Sequence, residues 1–180
     1  PVRREIFAAD FRDRIIHHLI INKLNPLFEK DFIGDSYSSR LGRGTGAGVK
    51  RLDGFIRRCS KNYSQGCYVL KVDIAGFFMH IDKNILFEKL KDFIEQKYLG
   101  ADKLLVLNLC KRLIDSDPTR NCIIKGSTRD WDDLPNNKSL FHSPHNCGLP
   151  IGNLTSQIFA NFYLNVFDHF IKNKLAIRFY

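Results

Sequence analysis

In Cys67-Tyr-Val-Leu-Lys71-Val-Asp73-Ile74-Ala-Gly76-Phe-Phe78-Met-His80-Ile81, a β-branched and aromatic run ends in one acid, followed by small residues and two adjacent rings. Such residues favour a pleated, half-buried surface, so the spacing predicts a central strand over 67–74 that ends near Asp73. Downstream, Asp82 has the chemistry of an N-cap for a helix to about Tyr98, with Ile85, Leu86, Leu90, Phe93 and Ile94 on one face and Gly100 closing it. A second helix is expected from Asp102 to about Ile114. A polar segment over 115–147 follows, in which 122–126 looks like half of a short hairpin. Asn153 or Thr155 then caps a helix to about Lys174, and residues 176–180 begin a further strand.

Upstream, Phe11, Ile15, Ile16, Leu19, Ile20, Leu24, Leu27 and Phe28 recur at three and four, a helical period with a break or bend expected at Pro26. Gly34 to Gly48 is a Gly/Ser-rich basic loop that feeds a helix from about Ala47 to Asn62. The order of elements is α+β without regular alternation, helix-rich with a small antiparallel sheet, which disfavours a doubly wound nucleotide fold. No phosphate-loop, dinucleotide or nucleophile-elbow motif occurs.

Composition narrows the function. The 180 residues carry 28 Lys and Arg against 19 Asp and Glu, a net charge of +9 that favours a polyanionic partner. No apolar run approaches the ~20 residues of a bilayer crossing, and no secretory signal is visible, so no membrane partner is expected. Five cysteines without a Cys-x-x-Cys pair disfavour a disulfide framework or a thiolate zinc site, and fit a cytoplasmic location. The amino end at Pro1 suggests a cut chain with sequence upstream.

Two constellations could carry chemistry. Asp73 has a hydrophobic approach on both sides, and a carboxylate placed so needs hydrogen bonds or a cation; a hard Mg²⁺ ion with phosphate ligands is one solution, and a strand-end acid accepting backbone hydrogen bonds is the other. Gly148-Leu-Pro150-Ile151-Gly152-Asn153-Leu-Thr-Ser-Gln157 is a rigid turn entering a helix, either a phosphate or base contact or an ordinary capped helix.

Together, Asp73-x-x-x-Phe77-Phe78 and, about 75 residues later, Gly148-x-x-x-Gly152-Asn-Leu-Thr-Ser-Gln157 resemble the fingers and palm of a bacterial reverse transcriptase. The resemblance covers nearly the whole chain. Arg3-Arg4-Glu-Ile-Phe through His17-His18 resembles the first block of that family, and Ser36-Tyr-Ser-Ser-Arg40-Leu-Gly-Arg43-Gly-Thr45 the second. Ile151-Gly152 and Ser156-Gln157 stand where many members, group II intron enzymes among them, have Gln-Gly and Ser-Pro. That variant, with Trp131 and Lys138-Ser-Leu-Phe141 in the insert, resembles the diversity-generating retroelement type.

The resemblance implies an RNA-directed DNA polymerase, with fingers over 1–66 and a partial palm over 67–180. It implies that Asp73 and the Ile74 carbonyl bind Mg²⁺, or Mn²⁺, that Arg4 reaches the incoming deoxynucleoside triphosphate, and that Phe78 excludes a 2′-hydroxyl. Ile151, Gly152 and Gln157 would belong to the nucleotide pocket; Arg3, Arg40, Arg43, Lys50 and Asn153 would contact RNA template and primer. Ile151 offers no hydrogen bond where relatives have glutamine, so reduced copying fidelity is expected. The subtype also implies an accessory protein.

The family's second acidic block, Tyr-x-Asp-Asp, is not in the sequence; Asp82 and Asp168 are poor substitutes, and one carboxylate cannot hold two metals ~3.5–4 Å apart. A polymerase truncated before that strand, inactive alone, is expected. Two rivals stand: a group II intron or defence-associated reverse transcriptase, and a non-catalytic RNA-binding module on the same scaffold. His142-x-x-His145-x-Cys147 reads as a polar loop, and His17-His18 as one core and one surface residue or as a backbone contact in the fingers.

Overall fold

The computed structural model describes residues 4–180. It divides into two compact units, one made of residues 4–30 with Ala75–Tyr163, the other of Asp31–Ile74 with Leu164–Tyr180.

In the first unit, α1 (Phe11–Asp31), α3 (Lys83–Lys97), α4 (Lys103–Asp115) and the first half of α5 (Leu154–His169) surround the core. α3 starts where Asp82 Oδ1 accepts the Ile85 N–H at 2.9 Å, satisfying an amide that has no partner inside the helix. Phe28, Phe93 and Phe162 form a mutual ring cluster with centroids 5.1–5.3 Å apart, so α1, α3 and α5 meet at one apolar point. Leu24 and Phe28 are fully buried on either side of Pro26, and the helix runs through that proline instead of ending there. Burying each of those side chains contributes about 1.5–3 kcal/mol, enough together to offset the ~3 kcal/mol of an interior proline. His17 is buried and His18 exposed, as their positions on the helix imply.

The second unit contains α2 (Thr45–Cys59), the loop before it and a π-helical turn, Phe170–Lys174. α2 buries none of its residues. Asp35 organises the unit: Arg51 Nε lies 2.7 Å and Lys172 Nζ 3.1 Å from its two carboxylate oxygens, and the Tyr37 hydroxyl donates to it at 3.1 Å. Burial pushes this carboxyl up, but the hydrogen bonds from Arg51, Lys172 and Tyr37 outweigh it and hold the group below the usual range.

The expected small antiparallel sheet does not form. Among the described residues there is no β-strand, only two isolated bridges, Arg40 with Arg43 and Asp82 with Cys147. Residues 67–74 are irregular, and 68–74 are exposed, with Leu70 at 87%. Their side chains suit a sheet, but a strand is defined by its neighbour, and no described segment lines up beside this one. Residues 176–180 likewise form no strand, and the insert folds into short 3₁₀ turns, Pro118–Arg120, Thr128–Trp131, Asn136–Lys138 and Leu140–His142.

Candidate nucleotide and nucleic-acid site

Within the first unit, main-chain bonds tie together segments far apart in sequence. Leu149 N–H donates to Phe78 O at 2.9 Å, Gly148 N–H to Ile81 O at 2.9 Å and Lys83 N–H to Asn146 O at 3.0 Å. The 3₁₀ turn Phe77–His80 is therefore latched to the glycine-rich turn before α5. Residues 4–9 form neither helix nor strand and alternate in burial: Glu5 and Phe7 are buried, while Arg4, Ile6 and Ala8 are exposed. From this arm Phe7 N–H donates to Ile151 O at 2.7 Å, and Ala9 N–H to Asn153 Oδ1 at 3.3 Å. Gly152, at φ +123°, lies so close to the arm that a Cβ would sit 2.8 Å from Phe7 O. Only glycine fits that turn.

Phe78 and Ile151 consequently share one support, each partly buried against the cluster of Phe7, Met79 and Leu140. Asn153 is buried and serves as the arm's acceptor, whereas Gln157 is exposed on α5 with its N–H donating to Asn153 O at 3.3 Å. Below the turn, His17 Nδ1 and Thr155 Oγ1 are 2.6 Å apart, joining α1 to α5, and burial holds His17 below the ordinary imidazole value.

The insert closes over the arm through Glu5. Its carboxylate accepts from Trp131 Nε1 at 2.9 Å, Ser139 Oγ at 2.9 Å and Leu140 N–H at 2.7 Å. Beside this anchor Arg4, Glu5, Ile6, Lys125, Asp130, Trp131 and Leu134 line a half-open cleft of about 210 Å³. Sequence reasoning missed Glu5. The signal was present, since Glu5, Phe7 and Ala9 occupy one face of a period-two run, and an acid on a buried face must find donors.

Asp73 and Ile74 belong to the second unit, both exposed on the irregular segment. Their carboxylate and carbonyl are hard oxygen donors of the kind a Mg²⁺ ion takes, but the ion needs six, and among the described residues no group of three His, Cys, Asp or Glu side chains could hold a metal. Asp73 and Ile74 therefore supply part of a donor set and not a complete one. His142, His145 and Cys147 do not compose one either. Arg40 is buried, donating from Nη1 to Ile33 O at 2.8 Å and Ser36 O at 2.9 Å, with its guanidinium 5.3 Å from the Phe32 ring centre. Arg43 donates to Gly34 O, and Lys50 is exposed on α2. Arg3 lies outside the described residues. Asp82 is occupied as the α3 cap, and Asp168 accepts the Tyr180 hydroxyl at 2.6 Å.

A family model described as "Reverse transcriptase (RNA-dependent DNA polymerase)" matches residues 2–180. Among curated proteins, the chain is 28% identical over 102 residues to "Nuclear intron maturase 1, mitochondrial" of Arabidopsis thaliana, a match covering 55% of the chain and 13% of that protein's length. No helix among the described residues is long and apolar enough to cross a membrane.

Proposed function

Because the chain belongs to the reverse transcriptase (RNA-dependent DNA polymerase) family, we propose that its intact protein copies an RNA template by adding deoxynucleotides to a primer 3′-hydroxyl. The observation that carries this reading is the latch between Phe78 and Leu149, which sets two blocks some 70 residues apart against one apolar support beside Ile151 and Gly152. In this proposal 1–66 act as fingers and 67–180 as part of the palm. Phe78 occupies the volume a 2′-hydroxyl would need, Arg4 meets phosphate, and Ile151, Gly152 and Gln157 border the nucleotide. Arg43, Lys50 and the neighbouring basic side chains attract the nucleic-acid backbone; Arg3 and Asn153 also contact template and primer, and Arg40 acts by holding the loop shape. Asp73 and the Ile74 carbonyl contribute two oxygen donors to a divalent cation, Mg²⁺ or Mn²⁺, whose chemistry would be to neutralise charge at the transferring phosphate. With that incomplete donor set, residues 1–180 alone do not extend a primer.

The Ile151 and Gln157 variants support a diversity-generating retroelement, with error-prone copying and an accessory protein. The intron maturase relative favours a second reading, an intron-associated reverse transcriptase. Mg²⁺-dependent incorporation of deoxynucleotides on an RNA template by the full-length protein is the test, comparing Asp73 with Asp73→Ala. Loss on substitution supports the polymerase. Activity retained by the variant removes Asp73 from the site, and salt-sensitive RNA binding without activity in either form favours the non-catalytic module. Ile151→Gln should lower misincorporation; an unchanged error rate counts against the fidelity argument.

A further inference from the structure

We propose that Glu5 is a positioning residue for nucleotide selection: by pinning the register of the N-terminal arm against the insert, its carboxylate sets where Phe78 and Ile151 stand, and so how sharply a deoxynucleotide is preferred to a ribonucleotide. This rests on the polymerase reading for the roles of Phe78, Ile151 and Arg4.

The arm needs such a pin. A run that alternates in burial with period two can slide along its support, and a slip of one residue would turn Arg4 inward and Glu5 outward. Apolar contact alone resists sliding weakly, because burial has no preferred direction. Hydrogen bonds do, and Glu5 takes three: Oε2 accepts from Trp131 Nε1 and Ser139 Oγ, both at 2.9 Å, and Oε1 from the Leu140 N–H at 2.7 Å. With both oxygens held and the residue only 5% exposed, a shifted arm would leave a charge buried without partners. Fixing register is the best-attested service of a buried polar group.

Two short routes lead from the pin to the nucleotide residues. Along the arm, two residues beyond Glu5, the Phe7 N–H donates to Ile151 O at 2.7 Å, and Ile6 and Phe7 lie close over Gly152. Through the insert, Leu140, whose N–H Glu5 holds, joins Phe7 and Met79 in the cluster on which Phe78 and Ile151 rest. Arg4 directly precedes Glu5, so its reach toward the triphosphate is set by the same register. The proposed metal donors, Asp73 and the Ile74 carbonyl, belong to the other unit and take no part in the pin. Disturbing Glu5 should therefore loosen nucleotide selection more than it slows the chemical step.

The test is steady-state incorporation on an RNA template by the full-length protein, with kcat and KM measured for a deoxynucleotide and for the matching ribonucleotide. Glu5→Gln sets a donor against donors and should raise the deoxynucleotide KM about five- to tenfold while kcat falls less than about threefold. The preference for deoxynucleotide over ribonucleotide, as a ratio of kcat/KM values, should fall about tenfold. Ser139→Ala and Trp131→Phe each remove one donor and leave Glu5 two, so each should give a smaller change in the same direction, and they decide the matter if Glu5→Gln does not fold. Val106→Ala, on the buried face of α4, is the control for lost stability. The folded fraction alters kcat but cancels from KM and from the ratio, so this variant should move neither. A KM and a ratio that shift no further in the Glu5, Ser139 and Trp131 variants than in Val106→Ala would show that Glu5 only fastens the insert; that overturns the positioning role, while wild-type incorporation keeps the polymerase reading. No incorporation by the wild type overturns the polymerase reading and the positioning role together.

Discussion

Trp131 Nε1 donates to Glu5 Oε2 at 2.9 Å, across 126 residues of sequence, and with Ser139 and Leu140 makes a buried carboxylate the point where the insert is fastened to the N-terminal arm. Both oxygens accept, so an amide cannot replace the carboxylate. Glu5→Gln turns one acceptor into a donor facing donors and should destabilise the first unit by about 1–3 kcal/mol. Urea denaturation followed by tryptophan emission measures it, and a red shift of that emission before the main transition is expected as the indole loses its partner. An unchanged midpoint and spectrum would show that the insert is held by something other than Glu5.

Gly152 and Gly76 should resist substitution for a shared reason. Each has positive φ, and an added Cβ would meet main-chain oxygen, Phe7 O at 2.8 Å for Gly152 and Asn137 O for Gly76. Gly152→Ala and Gly76→Ala are expected to lower the thermal midpoint, each by strain of about 1–3 kcal/mol before any clash. Gly54 in α2 is the control: its Cβ would meet nothing within 4 Å, so Gly54→Ala should stabilise the helix by about 0.5–1 kcal/mol.

Asp35 makes the second unit sensitive to acid. Its folded-state pKa is lowered, so its contribution is complete above the ordinary carboxylate value and is lost as pH falls through the folded value. Asp35→Asn removes the ion pairs to Arg51 and Lys172 and should cost about 1–3 kcal/mol at neutral pH, with the difference from wild type shrinking in acid. Denaturation midpoints of the two proteins from pH 7 to pH 2.5 should converge. Parallel curves would exclude Asp35 as the cause.

Asp168 behaves in the opposite sense. Burial pushes its carboxyl up, against the hydrogen bond from Tyr180, so the folded state holds this proton more tightly and wild-type stability falls as pH rises from the ordinary carboxylate value through the raised one. Asp168→Asn keeps an oxygen for the Tyr180 hydroxyl without the charge. It should be more stable than wild type at pH 8 and lose that advantage near pH 3; a variant less stable at every pH would show that the charge itself is needed.

The helices were legible because their causes are local. A period of three to four, an acid at the cap and a glycine beyond the end are written within a dozen residues, and α1, α3 and α4 lie where those signals put them, whereas α5 ends at His169 and gives way to the π-helical turn Phe170–Lys174. Pro26 was misleading as a helix breaker because the burial of Leu24 and Phe28 is a tertiary quantity that no local rule contains. The two motif blocks were also legible, as residue types at a spacing. Their union was not, since the bonds from Leu149 to Phe78 and from Phe7 to Ile151 join main chains that sequence order leaves 71 and 144 residues apart. Residues 67–74 show the same division from the other side: β-branched composition expresses a preference for a sheet, but a ladder needs a second chain segment opposite it, and only tertiary structure supplies or withholds that neighbour.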